Sequence, residues 1–119
     1  MPSSQHLDLA AEGWFKMSLI EQMANIGSEV SRALRARNNQ GRYWGAATRA
    51  LELFYLTIED TRWKRGQLKE ILRVRELFCA AILESTEFNT SLEDLDEYFM
   101  YFALLAQANR RLILKENML

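Results

Sequence analysis

Between residues 43 and 60 apolar side chains recur at Trp44, Ala47, Leu51, Phe54 and Ile58, in alternating steps of three and four. That spacing lines one stripe of an α-helix about four turns long, with Arg49, Glu52 and Glu59 beside or opposite it. Such a stripe is unstable alone in water and needs partner helices to cover it. Three other stretches carry matching stripes. Ser18 and Glu21 have the Ser-x-x-Glu capping-box spacing and predict the start of a first helix. Leu19, Met23, Ile26, Val30, Ala33 and Leu34 form its buried face, and it runs out at the polar turn of Asn38, Asn39, Gln40 and Gly41. Gly27 costs that helix about 1 kcal/mol against alanine, which close approach of another helix would offset. Residues 67–84 predict a third helix burying Leu68, Leu72, Phe78, Cys79 and Ile82. Ser91, three residues before Asp94, predicts the N-cap of a fourth, reaching Lys115 with Leu95, Phe99, Phe102, Ala106, Asn109 and Ile113 inward.

Four long helices with short connections predict an all-α, single-domain, up-down-up-down four-helix bundle over residues 16–119. Residues 1–15 form an N-terminal arm, flexible or a short helix, whose Trp14 and Phe15 close the end of the core. The 119 residues suffice for one continuous core without staples. No window approaches the roughly 20 apolar residues needed to cross a bilayer, and the start lacks a signal-peptide pattern. The expectation is a cytoplasmic, reduced protein with no membrane association. The single cysteine, Cys79, reads as a small buried hydrophobe.

The fourth helix is more apolar than one stripe requires. Met100, Tyr101, Leu104, Leu105 and Ala108 lie off the inward line and predict a second interface, a homodimer face. The alternative is that the arm covers this face within one subunit.

Charge changes the picture locally rather than globally. Fifteen basic against sixteen acidic residues give a net charge of -1, with no overall pull toward nucleic acid. Antiparallel alternation nevertheless places Arg62, Lys64, Arg65 and Lys69 at the same end as Arg110, Arg111 and Lys115, a candidate basic patch. Glu84, Glu87, Glu93, Asp94 and Asp96 gather at the other end, partly offset by Arg35, Arg37 and Arg42. Glu29, Arg49, Glu52, Arg75 and Glu76 flank the apolar stripes and form a candidate interhelical polar cluster. Arg75 is expected on the core side, and it or Arg49 is expected to meet Glu29 or Glu52, because a buried charge must be paired.

Catalytic signals are scarce. His6 is the only histidine, there is no Gly-rich phosphate loop, and Glu-x-x-His pairs for a bundle di-iron site do not occur. No metal or cofactor is expected. An enzyme built on Arg and Glu in a bundle crevice is the least favoured of three readings.

The blocks ANIGSEVSRA (residues 24–33), ATRALELFYLTIED (47–60), LKEILRVRELFC (68–79) and EYFMYFA (97–103) resemble a group of small uncharacterised prokaryotic helical-bundle proteins. That resemblance implies the same fold class and singles out Glu29, Arg49, Glu52, Asp60, Arg73, Arg75 and Glu76 as shared polar positions. A second resemblance is to HEPN-type helical bundles of toxin–antitoxin systems, whose active ribonucleases use Arg-x4-6-His at a dimer interface. No histidine follows any arginine here, so this likeness implies an inactive, nucleotide-binding or partner-binding relative. The leading expectation is a non-enzymatic interaction module acting as a homodimer, with an unidentified second protein as a further partner. The runner-up is a nucleic-acid-associated or defence-linked protein.

Overall fold

The computed structural model describes residues 11–118, which contain four long helices and no strand. They are α1 (Leu19–Arg35), α2 (Gln40–Glu59), α3 (Gly66–Ile82) and α4 (Leu92–Met118). A single helical turn at residues 11–14 precedes them. Of the arm, residues 1–10 lie outside the described residues, as does Leu119 of the predicted domain.

Three of the four helix starts carry a side-chain cap; the start at Gly66 has none. Ser18 accepts a hydrogen bond from the Glu21 amide at 3.2 Å, and Asn39 caps α2 by accepting from the Arg42 amide at 3.1 Å. Ser91 and Asp94 satisfy each other: the Asp94 amide donates to Ser91 Oγ and the Ser91 amide to Asp94 Oδ2, at 3.1 and 3.3 Å.

The core is one cluster drawn from all four helices plus Trp14. Its centre is aromatic: Phe54 of α2 lies 5.8 Å from Phe78 of α3 and 6.2 Å from Phe99 of α4, ring centre to ring centre. On α1, Met23, Ile26, Val30 and Ala33 are buried as the spacing predicts. At Gly27 the close approach is real: a Cβ there would sit 2.6 Å from Phe99 Cβ. The glycine sets how near α4 can lie.

Two predicted stripes are rotated. On α2 the buried residues run through Ala46, Ala47, Ala50, Phe54 and Thr57, so Ala47 and Phe54 are inward as predicted, while Trp44 is 42% exposed and Leu51 and Ile58 are half-buried. Small alanines admit α1 more closely than Trp44 would, so packing selects their arc. On α3, Phe78 and Ile82 are buried as predicted, joined by Ile71, Val74 and Ala81; Leu72 is exposed, and Leu68 and Cys79 are half-buried. Both arcs are apolar, and contact with neighbouring helices decides between them.

Ends meet ends. The start of α1 reaches the end of α2 through Gln22 and Asp60, and Arg37, just past α1, pairs with Glu93 at the start of α4. Tyr98 on α4 donates to Glu70 of α3 at 3.4 Å, bringing the first parts of these helices together. Because α4 runs back along α1 from Glu93 past Phe99, its last turns pass beyond α1's first residue. From residue 107 to 118 every position is exposed, so Asn109 and Ile113 are not core residues as predicted. Among the described residues no partner helix extends that far.

Candidate interaction surfaces

The expected polar cluster divides. Glu29 of α1 is buried and accepts from Arg49 Nε of α2 at 3.1 Å and from Arg32 Nη1 one turn along at 2.5 Å. One carboxylate thus holds two guanidinium groups whose side chains are each 55% exposed. Glu52 is half-buried, and it makes no ion pair among the described residues. Arg75 and Glu76 are exposed and line a surface groove with Cys79, Leu83 and Phe88, away from Glu29. The placement of Arg75 on the core side is corrected: with Ile71, Val74 and Phe78 inward, position 75 falls on the outer arc of α3.

A second polar centre, at the foot of α1 and α2, was not read from the sequence as a unit. Gln22 is completely buried; its Nε2 donates to Asp60 Oδ2 and to the Trp14 carbonyl, both at 2.9 Å. Its Oε1 accepts from Trp63 Nε1 at 2.7 Å. Trp14 Nε1 donates to Thr57 Oγ1 at 3.0 Å. Asp60 also accepts from Arg62 through Nε at 3.0 Å and Nη2 at 2.7 Å. The bidentate Arg62 guanidinium holds the Asp60 carboxyl down at about 2, with the Gln22 amide and the Arg62 backbone N–H assisting. No buried side-chain nitrogen or oxygen among the described residues lacks a partner. This network ties the residue 11–17 segment and the α2–α3 connection to α1; a saturated network of this kind is structural glue. The available signal was Gln22 itself, four residues before Ile26 on the buried stripe.

Of the candidate basic patch, Arg62 is occupied by Asp60, donates to the Met17 carbonyl, and stacks 4.4 Å over the Trp63 ring. Lys64, Arg65, Lys69, Arg110, Arg111 and Lys115 are exposed and form no ion pair among the described residues. At the opposite end, among the described residues, only Arg37 pairs with the acidic group there, through Glu93. Arg35 and Arg42 instead share a groove between α1 and α2 with Arg32 and Arg49. Sequence reasoning missed this grouping by treating them as charges that merely offset the acids.

The candidate dimer face is open. Met100, Tyr101, Leu104 and Leu105 are about half exposed or more, Tyr101 reaching 70%, and Ala108 is exposed with them. The structure extends this surface to Leu112, which is exposed; Ile113 and Leu114 are exposed on other sides of the helix. Whether the arm covers it turns on residues 1–10, outside the described region.

Among the described residues no group of three or more His, Cys, Asp or Glu side chains could hold a metal ion, and no helix is long and apolar enough to cross a membrane. Compared with known proteins, the chain matches no family model, no curated protein and no solved structure.

Proposed function

We propose that this chain is a non-enzymatic interaction module that pairs with a second copy of itself through α4. One observation carries the reading: α4 outruns the core and displays an apolar stripe along its outer side. Tyr101, Leu105, Ala108 and Leu112 follow steps of four, three and four, the spacing by which two helices interlock. Tyr101, Leu105 and Leu112 on that stripe are each about half exposed or more, with Met100 and Leu104 exposed beside them. A contiguous exposed apolar surface of this kind marks an interaction site. A two-fold pairing of α4 with its copy closes the assembly, because each stripe covers the other. The test is a Tyr101→Glu/Leu105→Glu variant in light scattering. The mass is expected to fall to one chain with the helical circular-dichroism signal retained; a variant mass equal to the parent's would refute the assigned face.

A second reading, a nucleic-acid-associated or defence-linked protein, is supported by the exposed cations of the α2–α3 connection and of the α4 tail. It calls for binding to a generic duplex that weakens steeply with salt. Undetectable binding at low salt would remove it.

A further inference from the structure

We propose that the groove between the end of α1 and the start of α2 is a binding site for an anion carrying two or more phosphate groups. This site is separate from the α4 face and does not depend on self-association. The groove measures about 550 Å³ and has Arg32, Arg35, Arg42 and Arg49 along its walls. The floor includes Gly41, Gly45 and Ala46, which leave it bare of large side chains.

Four features point to a ligand rather than to a solvated basic surface. First, among the described residues the only carboxylate paired with these arginines is Glu29, which is buried and serves Arg32 and Arg49 together. That arrangement holds the two guanidinium groups side by side while leaving Nε and Nη2 of Arg32 and both Nη groups of Arg49 without a partner among the described residues. Second, Arg35 and Arg42 form no ion pair among the described residues; Asp96 lines the neighbouring groove with Arg32 and Arg35 but stays beyond ion-pair distance. Third, Arg42 stands in the first turn of α2, where the helix dipole is already positive, and that turn has no acidic residue. A cation there is unfavourable unless an anion joins it. Fourth, the amides of Gln40 and Gly41 at the same helix start make no hydrogen bond to the protein among the described residues.

Chemistry then selects the anion. A single carboxylate is planar and satisfies one guanidinium fork, whereas phosphate oxygens can bridge several forks and the amides of a helix start. Four guanidinium groups against one buried carboxylate call for a ligand with several negative charges. Arginine rather than lysine at all four places fits bidentate phosphate recognition.

The probe is inorganic pyrophosphate, titrated calorimetrically into the full chain at low ionic strength. Saturable binding is expected, weakened about tenfold or more by Arg35→Ala/Arg42→Ala. A Lys16→Ala/Arg75→Ala variant, which removes equal charge elsewhere, is expected to bind as the parent does. All four positions are exposed, so circular dichroism should show every variant folded. Displacement of pyrophosphate by a short single-stranded oligonucleotide would identify a nucleic-acid backbone as the source. Failure of that displacement would identify a small di- or triphosphate, and either outcome sustains the phosphate assignment. No saturable binding, equal loss in the Lys16/Arg75 variant, or equally tight binding of polyglutamate would overturn it.

Discussion

Replacing Gly27 by alanine tests how α1 and α4 are joined. In an exposed helix interior the change stabilises by about 1 kcal/mol through backbone propensity. At this position the added Cβ would lie 2.6 Å from Phe99 Cβ and 3.1 Å from its Cγ. Carbon atoms at rest sit about 3.5–4.0 Å apart, so the helices must part by roughly 1 Å. Phe99 cannot yield by turning a flexible end, because the struck atom is attached to its backbone and the residue is 2% exposed. Overpacking of this sort costs about 1–3 kcal/mol, which outweighs the propensity gain. A net loss of about 1 kcal/mol is expected, or a few degrees in Tm. Urea unfolding followed by circular dichroism reads it. Phe99→Leu should not rescue the variant, since leucine keeps both crowded atoms. Gly45→Ala serves as the contrast: its Cβ would meet only the far end of Arg49, at 3.4 Å, and stabilisation is expected. A Gly27→Ala protein as stable as the parent, or more so, would refute the reasoning.

Other expectations follow from the polar centres. Asp60 is held at about 2, below its ordinary 3.8, so its contribution is complete above about pH 4 and is lost as pH falls toward 2. With Arg62 still 41% exposed and partly screened, this amounts to about 1–2 kcal/mol. Acid unfolding of Asp60→Asn should lack that component; because Arg73 and Arg37 likewise lower Glu70 and Glu93, the difference from the parent is the quantity to measure. Gln22→Leu removes a partner from Trp63 Nε1, Asp60 and the Trp14 carbonyl together, and a loss of about 2–4 kcal/mol in chemical denaturation is expected. Reversing Arg75 to glutamate should shift stability by no more than about 0.5 kcal/mol, since the residue is exposed; a loss several times larger in the same assay would restore it to the core.

The fold class was legible because periodicity and capping agree. On α1 the apolar residues occupy a single arc between polar ones, so Ser18, Ile26 and Val30 could be placed without knowing the partners. Helices α2 and α3 are apolar over more than one arc, and there the choice between Leu72 and Ile71, or between Trp44 and Ala46, rests on neighbours the sequence does not display. The same ambiguity misplaced Arg75, whose side of the helix depends on which arc turns inward. Glu29 and Arg49 stood among the candidate residues, yet the role of Arg32 beside them required coordinates. Gln22, Asp60 and Trp63 are spread along the chain, and only folding assembles them. The outward stripe on α4 could be read because it exceeds what one interface needs; that its last turns are exposed on every side follows from packing and length, which pattern alone does not give.

The most direct measurement is the mass of the unaltered full chain by light scattering over a concentration series. Two chains per particle at micromolar concentration is the expected result, with the outer surface of α4 covered by its copy. A particle of one chain at every concentration would contradict self-association through that helix.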